Sequence, residues 1–191
     1  GKVDLVLVGG GMSATFLKAK SCQVGMSLVE EDRLETATHL MEQAADKGVR
    51  LLLPVDVVVT TEIGPKAEGE TVAVEHILPH QRIVDIGRQT VENFSDELRN
   101  CKTVFWNGPM GINEIPQFAQ GTHVIARLLA QLEATTVIGG GSTADVVTNI
   151  GLADKMTFVS TGGGASLRLL GGQKLPGVEV LLDKGSLATN G

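Results

Sequence analysis

Three glycine triplets mark the places where this sequence is equipped to meet an anion: Gly9-Gly10-Gly11, Gly139-Gly140-Gly141 and Gly162-Gly163-Gly164. Without side chains, backbone N–H groups approach an oxyanion closely, and the start of a helix adds a field that favours negative charge. Two triplets open a dinucleotide-type turn, Gly9-x-Gly11-x-x-Ala14 and Gly139-x-Gly141-x-x-Ala144. After the first, Glu30, Glu31 and Asp32 stand about 20 residues on, where a ribose-binding acid is expected. Two such fingerprints do not suit a single dinucleotide. Ser27-x-x-Glu30 also has the spacing of a capping box, which assigns these acids to a helix start. The Walker sequence G-x-x-x-x-G-K-[ST] does not occur, so an ordinary P-loop is excluded.

A second constellation is Asn107-Gly108-Pro109-Met110-Gly111, a rigid, flat turn suited to walling a base or ribose. Glu114 follows, either as an acceptor for ribose hydroxyls or as a helix-start acid. His39, His76, His80 and His123 are scattered, with no metal-ligand or nucleophile partner at motif spacing. Cys22 and Cys101 are too few for a disulfide framework and read as inert thiols in a reducing, cytoplasmic setting. The net charge of −6, the lack of a Lys/Arg cluster and the absence of Tyr argue against nucleic acid. Apolar runs are strand-sized, far short of a membrane span, and residues 1–20 lack the order of a signal peptide.

These groups need a frame. Each triplet follows a β-type run (residues 3–8, 135–138, 156–160) and precedes a helical one (13–20, 143–149, 165–170). Strand, glycines, helix, three times over, is the grammar of an α/β domain: a three-layer, Rossmann-like doubly wound parallel sheet with helices on both faces. Residues 31–47 carry a helical stripe that ends at Gly48. Residues 49–53 and 55–60 flank Pro54 as one bent or edge strand, and 72–78 form a peripheral strand closed by Pro79. Thr90 or Ser95 caps a helix reaching about Arg99, and 103–106 form another strand. Gly121-Thr122 opens a helix with an apolar face of Val124, Ile125, Leu128, Leu129 and Leu132. The frame is one domain, residues 1–184, with a loose tail at 185–191.

At residues 106–114 the sequence Trp-Asn-Gly-Pro-Met-Gly-Ile-Asn-Glu resembles the W-N-G-P-M-G-V-F-E motif of phosphoglycerate kinases. Residues 9–17 resemble that family's G-G-G-M-A-x-T-F-L segment. Residues 27–32, 52–59, 85–87, 159–167 and 175–178 match in the same order. The resemblance covers nearly the whole chain and is to the C-terminal, nucleotide-binding half of a two-domain enzyme. It implies ADP or ATP with Mg²⁺ as the bound group, and as partner an N-terminal domain that holds 3-phosphoglycerate or 1,3-bisphosphoglycerate. It further implies that Gly9, Gly10 and Gly11 border adenine and that Asn107, Pro109 and Glu114 line the ribose side. Gly139, Gly140 and Gly141 would face the phosphates. Gly162, Gly163 and Gly164 would face them too, supplying backbone donors to the transferring phosphoryl group.

The chain departs from the family pattern in three ways. Ser142, followed by Thr143, stands where the family's Mg²⁺-linked Asp belongs, so no metal ligand is assigned with certainty. Asn113 replaces a Phe and Arg88 a Pro. The family's G-G-A-K-V-S-D-K segment, a central strand with a nucleotide-contacting lysine, would precede Gly1, as would the substrate-binding domain and its arginine. The expectation is therefore a piece of a longer kinase, inactive alone, or a fold that closes the gap in another way. A non-catalytic nucleotide-binding or dimerising fragment is the alternative.

Overall fold

Apolar residues alternate along short β-rich runs and recur every three or four positions between them, and the chain folds accordingly. The computed structural model describes residues 2–181; the tail expected to be loose lies outside them. Strand β1 (Leu5–Leu7) leads through helix α1 (Gly11–Ala19) and helix α2 (Leu34–Asp46) to β2 (Arg50–Leu52). Strands β3 (Asp56–Thr60), β4 (Glu70–Ala73) and β5 (Arg82–Ile86) follow, then α3 (Arg88–Leu98), β6 (Thr103–Asn107) and α4 (Gln120–Leu129). The described part ends with β7 (Thr135–Gly139), α5 (Gly141–Asn149), β8 (Phe158–Ser160), α6 (Gly163–Leu170) and α7 (Pro176–Glu179).

The strands form a parallel pair β1–β2, a parallel sheet β6–β7–β8, and an antiparallel sheet in the order β4–β3–β5. The parallel strands are thus in two pieces, since β1 and β6 share no ladder. Alternation across β1 shows helices on both faces. Val6 and Val8 pack with Phe16, Ala37 and Met41 of α1 and α2, whereas Leu7 and Leu52 face the main core. That core gathers Phe94 and Leu98 from α3, Trp106 from β6, Ile125 and Leu129 from α4, Ile138 from β7 and Val147 from α5.

Several local expectations are corrected. Pro54 does not bend one strand; it separates β2 from β3, which join different sheets. A proline has no N–H to carry a ladder across the junction. The peripheral strand stops at Ala73, where a 3-10 turn takes over at Val74–His76. Strand β5 escapes sequence reading because buried Asp85 interrupts its apolar run. The Ser27 capping box does not form: Ser27 Oγ donates to Val24 O and accepts from Ile83 N–H instead. Of the apolar face assigned to α4, Val124 is exposed, and Thr122 and Ala126 take its place in the interior. These two are small enough to let α4 lie close.

Helix α3 begins before either residue expected to cap it, because its cap comes from another element. The Asp56 carboxylate, on β3, accepts Gln89 N–H at 3.0 Å and Thr90 N–H at 2.7 Å. Thr90 Oγ1 in turn accepts the backbone N–H groups of Val55 and Asp56. Gly87 is required beside it, since a Cβ there would lie 2.3 Å from the Asp56 carboxyl carbon. Asp56→Ala should lower the free energy of unfolding by about 2 kcal/mol, the upper range for a lost helix cap. Urea titration of folded wild-type and variant protein checks this; a difference below about 0.5 kcal/mol would leave α3 held by packing alone.

Candidate functional site

The turn at residues 107–112 is pinned at every second N–H. Gly108 N–H donates to Thr143 Oγ1 at 2.8 Å, Met110 N–H to Thr122 Oγ1 at 2.9 Å, and Ile112 N–H to Val84 O at 3.0 Å. The acceptors belong to α5, α4 and β5 in turn. Thr143 and Thr122 are buried, so these bonds form away from competing water. Val84 is available because the β3–β5 register slips there, from Val58↔Asp85 to Val59↔Ile83, leaving Val84 unopposed. A bulge of this kind re-aims the strand at a site.

Within each triplet the glycines divide their work. A Cβ on Gly9 would lie 2.4 Å from Met110 Sδ, and one on Gly10 would lie 2.2 Å from Pro109 O. A Cβ on Gly139 would meet the Phe105 ring at 2.7 Å; on Gly140 or Gly163 it would strike Asn107 Oδ1 at 2.7 or 2.6 Å. Gly10 and Gly140 also hold φ of 60° and 92°, which only glycine adopts readily. These glycines let the chain approach itself. Gly11, Gly141 and Gly164 have open space where a side chain would stand. They lie in the first turns of α1, α5 and α6, whose N–H groups have no intrahelical acceptor. Gly162 is different again, its N–H taken by Ser160 Oγ at 3.2 Å.

Beside the turn lies a cleft of about 720 Å³, a volume ordinary for a small-molecule site. Gly11 and Ala14 of α1, Leu28, Val84 of β5, and Gly111 and Ile112 line it. Leu28 is 84% exposed at its rim and Ile63 is 51% exposed, two large apolar groups open to solvent there. The site therefore has two ends. Asn107 sits among Gly139, Gly140 and Gly163, where α5 and α6 begin, and Gly111 and Ile112 border the apolar cleft. The turn spans the distance between a set of anion-accepting N–H groups and a flat apolar slot.

Asp85 lies beneath this turn, 1% exposed. Its carboxylate accepts Ile86 N–H at 2.9 Å and Gly121 N–H at 2.8 Å, the latter at the start of α4. Gly111 and Gly121 leave it room, for a Cβ on either would come within 2.6 Å of the carboxylate. Burial raises the Asp85 carboxyl from 3.8 to about 6, against backbone N–H groups of Gly121, Ile86 and Gln120 that pull it down.

A phosphoglycerate kinase family model matches residues 1–173. The chain belongs to the phosphoglycerate kinase family. It is 52% identical over 183 residues to the phosphoglycerate kinase of Pelotomaculum thermopropionicum, covering 96% of this chain and 47% of that protein. It is 51% identical over 185 residues to that of Thermosynechococcus vestitus, covering 95% of this chain and 46% of the relative. Among solved structures it superposes on phosphoglycerate kinase from Coxiella burnetii with a TM-score of 0.88 at 38% identity, over 93% of this chain and 46% of that one. The Pyrococcus horikoshii enzyme gives 0.78 at 31% identity, over 93% of this chain and 44% of that one. The chain spans about half the length of these phosphoglycerate kinases.

The fold brings most of the residues that the sequence points to onto one edge. Gly9 to Gly11, Asn107, Pro109, Gly139 to Gly141 and Gly163 lie around the 107–112 turn. Ser142 is exposed at the start of α5, whereas Thr143 is buried with its oxygen already accepting from Gly108. Glu114 is exposed and does not line the cleft. Leu28, Val84 and Ile112 were not selected from sequence. Their apolar types carry no site signal, and only their convergence on the cleft marks them. Cys22, at the cleft edge, and Cys101, raised by burial and by Glu97, are both partly buried free thiols.

The raised Asp85 carboxyl sets a pH dependence. An acid whose folded pKa exceeds its unfolded value binds more protons when folded, so its unfavourable contribution is full above about pH 6 and fades as pH falls toward 3.8. At neutral pH this costs on the order of 2–3 kcal/mol. The stability of wild type relative to Asp85→Asn should accordingly be greater at pH 5 than at pH 8, by about 1 kcal/mol. Urea unfolding of both proteins at both pH values measures it; a difference of opposite sign would mean that the N–H donors outweigh burial.

Proposed function

We propose that this chain holds MgADP or MgATP for the reversible phosphoryl transfer between 1,3-bisphosphoglycerate and ADP that yields 3-phosphoglycerate and ATP. The observation that supports it is the two-ended site across residues 107–112, with an apolar slot at one end and helix N-termini at the other. The base lies in the slot between Gly11, Leu28, Val84 and Ile112, and the ribose crosses Pro109. The phosphates face the open starts of α5 and α6 at Gly141 and Gly164. Asn107, beside Gly140 and Gly163, serves the ribose side and has a carboxamide able to donate to the ribose or to a phosphate oxygen. Residues 1–184 act as the nucleotide-binding domain, and Glu114, exposed two residues beyond Ile112, serves the ribose from outside the cleft.

The protein's part in the chemistry is orientation and charge stabilisation. Backbone N–H groups of Gly163 and Gly164, at the start of α6, are directed to charge that develops on the transferring phosphoryl group. Gly162, with its N–H engaged by Ser160, contributes by shaping the turn. No group of three His, Cys, Asp or Glu side chains gathers among the described residues, so Mg²⁺ would be held chiefly by the phosphates and water. Ser142 and Asp145, exposed on α5 and one turn apart, are the side chains able to reach it. When bound, the cation spreads the negative charge of the terminal phosphates.

Competition calorimetry with ADP and NAD tests the reading: ADP should bind and NAD should not displace it. Tighter NAD than ADP binding would favour a dinucleotide enzyme. Ser142→Asp should strengthen ADP binding more in the presence of Mg²⁺ than in its absence, since a carboxylate is the harder ligand. Equal Mg²⁺ dependence in both proteins would leave the cation held by phosphates alone. The chain by itself should form no ATP in a coupled assay with 1,3-bisphosphoglycerate, because the family's arginine and lysine for this step lie outside it. Such cations are worth roughly 10³–10⁵ in rate. Robust turnover would overturn that division of labour and exclude the alternative of a non-catalytic fragment.

A further inference from the structure

The apolar cleft is bordered by a cation that takes part in no ion pair among the described residues. Arg82, the first residue of β5, lines the cleft two positions before Val84. Its Nε is closed off from solvent with no hydrogen-bond acceptor among the described residues. Its guanidinium enters none of the ion pairs among the described residues. A buried donor left in this state is unfavourable until an acceptor arrives. The cleft's other cation, Lys18, is already paired with Glu31.

The nature of the missing acceptor follows from the polarity of the site. Anion-accepting helix starts lie around Asn107, at the other end of the 107–112 turn from Ile112 and the cleft. With the phosphates placed there, the group that reaches Arg82 belongs to the base. A guanidinium presents two parallel N–H groups that match the O6 and N7 acceptors of a 6-oxo purine. Adenine carries an amino donor where O6 would be, and so offers the fork a single acceptor.

We infer that Arg82 is a specificity-determining residue of this cleft, admitting 6-oxo purine nucleotides by pairing with their O6 and N7. The inference rests on the nucleotide reading of the site given above. Calorimetric titration of the protein and of Arg82→Met with Mg²⁺ and ADP, GDP or IDP tests it, with thermal unfolding to establish that the variant is folded. IDP carries O6 without the 2-amino group and isolates that contact. GDP and IDP should each lose about tenfold in affinity in Arg82→Met, the lower end of what a bidentate arginine–purine pair provides, with ADP changed less than twofold. Arg82→Lys retains charge without the fork, should lose at least threefold for GDP and IDP, and serves if the methionine variant does not fold. An equal loss for all three nucleotides in a folded variant, or no loss for any, overturns the role of Arg82 while leaving nucleotide binding intact. Failure of all three to bind the unaltered protein overturns the nucleotide reading, and the role of Arg82 with it.

Discussion

Everything at the candidate site depends on three hydrogen bonds that hold one short turn to three different elements. Gly108, Met110 and Ile112 give their N–H groups to α5, α4 and β5, and Pro109 between them has none to give. Each bond contributes only about 1 kcal/mol of stability. Together they fix the two ends of the site relative to one another. The hydroxyls that receive two of them sit on buried threonines, Thr143 and Thr122, each near the start of its helix. Glycines then clear the approach: Gly9 and Gly10 admit Pro109 and Met110, while Gly140 and Gly163 admit Asn107.

The same region accepts a cost in stability. Asp85 is charged at neutral pH in a setting that disfavours its charge, yet it is where α4 begins and where the turn rests. A neutral residue would fit the core better. The carboxylate instead meets N–H groups at the start of α4, which are otherwise without acceptors. Asp56 does the same for α3 from β3. Both helices flanking β6 in sequence are thus capped by acids from the antiparallel sheet, and this ties that sheet to the parallel strands.

The division of the parallel strands bears on what the domain does. Strands β1 and β6 have no ladder between them, although the turns that leave them are in contact through Gly9, Gly10, Pro109 and Met110. The cleft borders one of these turns, and the helices whose first turns are open at Gly141 and Gly164 follow β7 and β8.

Fold class, family and the glycine-bearing edge were legible in the sequence, because a short strand, a glycine triplet and a helix form a local pattern that survives any tertiary context. The pinning of the turn, the capping of α3 and α4, and the lining of the cleft were not. Asp56 reaches Thr90 across 34 residues and Thr143 reaches Gly108 across 35, separations at which sequence spacing carries no geometric information. Strand β5 was hidden for a related reason: its acid, Asp85, is buried where the start of α4 brings an N–H group to it. Leu28 and Arg82 read as an ordinary apolar residue and an ordinary surface charge until the cleft shows one uncovered and the other unpaired. Local backbone chemistry determined where strand passes through glycine into helix; the long-range packing of α4, α5 and β5 around one turn decided how these segments are arranged, because only tertiary contact can supply a donor or acceptor from a distant part of the chain.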